Sequence, residues 1–358
     1  MKLQAPSRPP VPSRLGDYSV RPRILMIGAL ATVVGAAAAF VAAALLKLIG
    51  LITNVVFYQR LETALVAPGA EHHAWWLIVT APVLGGLIVG LMARYGSEAI
   101  RGHGMPEAIE AILRNGSKIK PRIALLKPIS AAITIGTGGP FGAEGPIIMT
   151  GGAFGSLMAQ TLALTADERK TLLVAGAAAG MAATFNAPLA SILLAIELLL
   201  FEFRPRSFVP VSLAVVVATA LRWRLLGAAP IFATDHALPP LVFPDLVLCA
   251  VAGIIGGFVA WLATTLVYLS EDTFRKLPLH WMWWPAIGGL VIGIGGLFEP
   301  RALGVGYDVI GTLLAGHATL SLIVGILVVK TLIWSLSLGS GTSGGVLAPV
   351  FMIGAALG

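Results

Sequence analysis

Gly138-Gly139-Pro140-Phe141-Gly142-Ala143-Glu144-Gly145-Pro146 stands at the mouth of an apolar run that continues from Pro146 to Leu164. Glycine lets backbones approach closely or take a positive φ. Proline suits a first helical turn because its missing N–H would be unpaired there anyway. The stretch is therefore expected to be a helix start with bare N–H groups. An acidic side chain inside a bilayer costs about 2.5–3.5 kcal/mol on insertion scales and is usually functional. A helix N-terminus stabilises its anionic form, which makes Glu144 the sharpest residue in the chain.

The Gly-x-x-x-Pro pattern recurs at Gly102-His103-Gly104-Met105-Pro106 and at Gly345-Val346-Leu347-Ala348-Pro349, each ahead of a helix-like run. Gly136 to Pro140 and Gly296 to Pro300 also match but open no apolar helix. A helix N-terminus carries roughly half a positive charge and free donors. Several such ends converging in a membrane would hold a dehydrated anion without binding it too tightly to release. Glu144 could occupy the anion's place, and its protonation would remove that competition and carry a proton.

Composition supports a membrane setting. Of 358 residues, 57% are hydrophobic and 11% charged, against about 25% charged in a soluble domain. Mean hydropathy is +0.90. The 42 glycines and 23 prolines fit broken helices packed closely inside protein. The net charge of +7 reads as topology, since Lys and Arg collect in cytoplasmic segments; no basic patch interleaved with aromatics suggests nucleic acid. Residues 1–23, with Lys2, Arg8, Arg14, Arg21 and Arg23, form a Pro-rich leader placed in the cytoplasm by that rule and lacking the features of a cleavable signal. Cys249 has no cysteine to pair with, and nothing indicates a cofactor.

Apolar segments follow in series: 24–46, 75–93, 123–135, 146–164, 171–183, 189–201, 208–221, 246–269, 284–297, 320–338 and 345–358. They suggest roughly ten to thirteen membrane helices, several too short for the ~20 residues of a full span and so tilted, re-entrant or half-length. Residues 115–122, 166–170, 204–206 and 271–276 read as polar breaks, and Trp281, Trp283 and Trp284 as an interfacial belt. The last run stops abruptly at Gly358, as in a fragment lacking further helices.

The stretch from Gly138 to Pro146 resembles the glutamate-gate motif of the CLC family of chloride channels and chloride/proton antiporters. Gly102 to Pro106 resembles that family's first anion loop, Ser340 to Pro349 its third, and Phe185-Asn186-Ala187-Pro188-Leu189-Ala190 a further signature. The resemblance runs from about Arg23 to the end. It implies an all-α inverted-repeat bundle of tilted, broken and re-entrant helices over 24–358, incomplete at the C-terminus. It further implies a homodimer with one pathway per subunit in a bacterial inner membrane. Glu144 would be the gate. Gly102, His103, Gly104, Met105, Gly142, Gly145, Val346 and Leu347 would line the anion site, and Lys127 would be a buried lysine. His103 stands where many members have an anion-contacting serine. Leu198 stands at the antiporters' internal proton glutamate; Glu197 beside it is a candidate for proton coupling or else a structural cap or ion-pair partner, so exchanger and passive channel both remain open.

Other residues carry quieter readings. Lys330, alone in an apolar run, snorkels or pairs, and Glu107 and Glu110 favour a helix start. Two other classes are weighed. Gly341-Thr342-Ser343-Gly344 fits an intramembrane serine-protease motif, but no histidine follows His317 and a nucleophilic serine needs a base. Glu71, His72 and His73 could bind a metal for transport, yet sit in a loop beside Trp75 rather than in a span.

Overall fold

A computed structural model describes residues 22–162, 164–229, 231–232 and 242–358. All of the basic leader except Pro22 and Arg23 lies outside these, so its placement in the cytoplasm is not addressed. Two long helices come first, α1 (Arg23–Thr53), extended by a π turn to Tyr58, and α2 (Trp75–Tyr95). The short α3 (Met105–Leu113) leads to α4 (Pro121–Gly136), α5 (Glu144–Thr161) and α6 (Ala166–Phe185). Then come α7 (Pro188–Ala195), continued by a π turn over Ile196–Leu200, and α8 (Pro205–Leu225). After α9 (Phe243–Lys276) and α10 (Trp284–Phe298) come the short α11 (Tyr307–Leu314) and α12 (Leu320–Gly325). A π turn joins α12 to α13 (Thr331–Gly339), and α14 (Leu347–Leu357) closes the series.

Six helical segments among the described residues are long and apolar enough to cross a bilayer. The chain is thus an integral, multi-pass membrane protein, and the remaining helices are shorter or less apolar, in keeping with the expectation that several membrane helices fall short of a full span. Among these, α5 and α6 are long enough but less apolar, and they sit inside the protein. From Thr171 to Thr184 every residue of α6 is buried, as is the start of α5 from Glu144 to Ala153. These two helices meet through small residues: Gly151 lies on the backbone of Gly176 and Gly155 on that of Leu172, where any Cβ would collide. Such close approach replaces the hydrophobic effect as the source of packing in lipid. Gly35 of α1 meets Ala214 of α8 in the same way.

Three polar breaks prove to be helix. Residues 166–170 form the first turn of α6, where Thr165 and Glu168 make a capping box. Residues 205–206 begin α8, which is 21 residues long rather than the 14 read from its apolar stretch. Residues 271–276 continue α9, whose ion pairs Arg275–Glu271 and Arg275–Asp272 run along the helix. In each case the charged residues lie within the helix, beyond its apolar stretch. The break at 115–120 is a loop.

The two halves repeat one design. Lys127 precedes Glu144 by 17 residues, and Lys330 precedes Leu347 by 17; Glu144 and Leu347 are the first residues of α5 and α14. Gly102 and Gly104 introduce α3, and Gly304 and Gly306 introduce α11, all four with positive φ. Gly142 and Gly345 hold equivalent positions and exchange hydrogen bonds, N–H to carbonyl, at 3.0 and 2.7 Å in an antiparallel bridge. A reciprocal pair of equivalent residues is what a two-fold relation between halves produces, in keeping with an inverted repeat.

Candidate anion site at the meeting of three loops

The three Gly-x-x-x-Pro segments meet. The Gly102 N–H donates to the Thr342 carbonyl at 3.1 Å and its carbonyl accepts from the Gly344 N–H at 3.4 Å. That joins the first loop to the third, while the Gly142–Gly345 bridge joins the second to the third. Gly104 lies against the backbone of Gly145, and Gly145 lies against the His103 carbonyl and the Cα of Gly345. Side chains at these glycines would push the loops apart. The N-terminal ends of α3, α5 and α14 are thereby held beside one another, each with its fractional positive charge and free N–H groups.

Glu144 occupies the centre of this arrangement. It is 2% exposed. Its Oε1 accepts a hydrogen bond from the Ala348 N–H, in the first turn of α14, at 3.2 Å. Its Oε2 is buried and has no hydrogen-bond partner, lying against the Cα atoms of Gly142 and Gly345. A carboxylate oxygen thus sits on a helix-start donor of the kind that binds anions. Val346 and Leu347 head the same turn, and Met105 opens α3.

Two buried lysines brace the loops. Lys127, 0% exposed, donates from Nζ to the carbonyls of Ile100 (2.9 Å), Gly102 (2.8 Å) and Arg101 (3.4 Å). Lys330, also 0% exposed, donates to the carbonyls of Ala302 (2.9 Å) and Gly304 (2.8 Å). Of the two expectations for Lys330, snorkelling or pairing, the structure shows pairing; its ammonium is directed inward because the buried carbonyls ahead of α11 need donors. Lys330 is close enough to Glu144 to act on it electrostatically. The loop at 304–306 with Lys330 is a part of the site that sequence reading missed. The signal was present in the second Gly-x-Gly and in the repeated 17-residue spacing.

Other expected residues fall in different places. Ser343 is fully buried, and its Oγ is hydrogen-bonded to Ser130 at 3.0 Å, within the loop junction. Glu197 is exposed on the π turn after α7, and Leu198 beside it is also exposed; neither belongs to the cluster of loops. Glu107 lies in the first turn of α3, as expected, and Glu110 forms an ion pair with Arg114 at 3.6 Å. His73 packs its ring on Phe57 and Tyr58, and among the described residues no group of three or more His, Cys, Asp or Glu side chains is placed to hold a metal. Trp281 and Trp284, read from sequence as part of an interfacial belt, hold a cation: the Arg101 guanidinium lies 4.8 Å and 5.6 Å from their ring centroids.

Comparison with known proteins agrees with this architecture. The family described as "Voltage gated chloride channel" matches residues 84–358. The chain is 31% identical over 332 residues to the "Voltage-gated ClC-type chloride channel ClcB" of Salmonella typhimurium, covering 92% of this chain and 78% of that protein. It is 33% identical over 347 residues to the "H(+)/Cl(-) exchange transporter ClcA" of Salmonella arizonae, covering 93% and 71%. Among solved structures, a CLC-type fluoride/proton antiporter superposes with a TM-score of 0.79 at 21% identity, over 95% of this chain and 82% of that one. A slow cyanobacterial Cl-/H+ antiporter superposes at 0.75 and 22%, over 94% and 78%. With its loops, lysines and central glutamate arranged in this way, the chain belongs to the voltage-gated chloride channel (CLC) family.

Proposed function

We propose that this protein moves chloride or a similar small anion across the membrane in exchange for protons, with Glu144 as the gate. The observation that carries the reading is the Glu144 carboxylate on the Ala348 N–H, at the point where three helix starts meet. An anion and this carboxylate compete for one set of donors. Protonated, the side chain gives up its claim to the donor and takes a proton with it. Gly102, His103, Gly104, Met105, Gly142, Gly145, Val346 and Leu347 supply the walls and backbone donors of the path.

A passive channel is the second reading, favoured by Leu198, which holds no proton, and by a relative named as a channel. A protease using Ser343 is disfavoured, because its hydroxyl is tied to Ser130 in a structural junction. We place the protein in a bacterial inner membrane with a cytoplasmic N-terminus and expect two copies to pair, each with its own pathway; cross-linking in native membranes tests the pairing. Purified protein in liposomes decides the main reading. With a chloride gradient imposed, an exchanger drives protons uphill, a channel moves chloride alone, and no chloride movement ends the anion reading.

A further inference from the structure

Near the first loop lies a second group of titratable side chains whose buried atoms are unengaged. His103 Nδ1 and Glu107 Oε2 are both inaccessible to solvent and without a hydrogen-bond partner. Glu107, at the third position of α3, folds back so that its Oε1 lies near the Cα of Gly102. It therefore does not serve as an ordinary helix-start carboxylate directed at its own N–H groups. His103 feels both Glu107 and Lys127 electrostatically. Both residues are only partly buried, so the pair lies between the protein surface and the inner loops. At the inner end, the His103 carbonyl rests on Gly145, the residue next to Glu144.

The remaining charged groups around this pair have other engagements. Lys127, on α4, is directed to three carbonyls. Arg101 faces Trp281 and Trp284 and bonds Glu98 at 3.3 Å, and a guanidinium does not release its proton in a protein. Glu144, on α5, holds the Ala348 N–H. Glu197, on the π turn that packs near α3, is exposed. Imidazole is the side chain whose charge changes near neutral pH; here burial foremost, and the Lys127 ammonium, oppose its cationic form, and the Glu107 carboxylate supports it.

We propose that His103, assisted by Glu107, is the proton carrier that loads Glu144 from the α3 side of the protein. The inference rests on the exchange reading above. His103 takes a proton from the water at the α3 loop and becomes imidazolium, with Glu107 as counter-charge. It returns to neutral imidazole as the Glu144 carboxylate becomes carboxylic acid, and that proton leaves from Glu144 on the other face. No electrons move, and each proton entering is matched by one leaving. His103 then joins anion path and proton path at a single residue.

The test compares wild type, His103→Gln and Glu107→Gln in liposomes under a chloride gradient, recording chloride and proton movement together. Glutamine at position 103 keeps hydrogen-bonding capacity but cannot titrate. His103→Gln is expected to lower the protons moved per chloride by about 100-fold, the lower part of the range for a positioned acid–base group. Glu107→Gln is expected to lower proton movement less and to shift its pH profile to lower pH. Wild-type proton movement in His103→Gln overturns the proposal. So does a wild type that moves chloride with no protons, a result that leaves anion transport standing. Should His103→Gln fail to fold, an unaltered pH profile in Glu107→Gln overturns it alone.

Discussion

Lys127 and Lys330 do the same work in opposite halves of the protein. Each lies 17 residues before a helix that opens at the centre, and each directs a fully buried ammonium to the carbonyls ahead of a short helix. Replacing either by methionine keeps the volume and leaves those carbonyls without a donor. A buried group stripped of its partner costs about 1–3 kcal/mol. Lys127→Met and Lys330→Met should each lower the melting temperature in detergent, and by similar amounts. A Lys330→Met protein as stable as wild type would remove the lysine from its bracing role.

Glu144 makes an opposite kind of prediction, since its carboxylate blocks rather than braces. Glu144→Gln removes the charge but not the side chain; proton movement should fall by about 100-fold or more, and chloride movement should lose its pH dependence. Glu144→Ala vacates the Ala348 N–H altogether and should let chloride pass with no protons. Dual recording in liposomes checks both. Proton pumping by Glu144→Gln at the wild-type rate would place the gate elsewhere.

The fold was legible where the sequence carries local chemistry. Gly-x-x-x-Pro fixes helix starts through proline geometry and glycine freedom, and all three informative copies open a helix at the centre. The two matching stretches set aside behave accordingly: Gly136 ends α4, and Pro300 begins only a three-residue 3-10 turn. What was not legible is long-range. Nothing in Lys330 alone says whether it faces water or carbonyls; only the loop at 302–304, brought against it by the fold, decides. Nor does an apolar run say where its helix ends, because α8 and α9 extend into charged residues that favour helix ends in water. Whether α5 and α6 span lipid or lie inside protein depends on neighbours, and glycine-rich faces such as Gly151 and Gly155 hint at it only once their partners are known.

Ser343 separates transporter from protease. Its hydroxyl bonds Ser130 at 3.0 Å, and its backbone pairs with Gly102 in a parallel bridge. Ser343→Ala keeps the backbone pairing and loses one buried hydrogen bond, worth about 1 kcal/mol. Chloride movement should survive with a slightly lowered melting temperature. Cleavage of a membrane-protein substrate by wild type and its loss in Ser343→Ala would revive the protease.

The junction of loops gives the sharpest contrast of position. A methyl group on Gly145 would strike the His103 carbonyl and approach Gly345, and backbone at a three-loop junction cannot move aside without breaking the bridges at Gly102 and Gly142. Overpacking of this kind costs about 1–3 kcal/mol or more. Gly253, in the middle of α9, has nothing within 4 Å of where its Cβ would lie, and alanine there should gain up to about 1 kcal/mol from helix propensity. Melting temperatures in detergent should therefore move in opposite directions for Gly145→Ala and Gly253→Ala. Chloride movement should be lost in the first and kept in the second. Chloride transport by Gly145→Ala at the wild-type rate would mean that the close contact of the first two loops is not what shapes the anion's path.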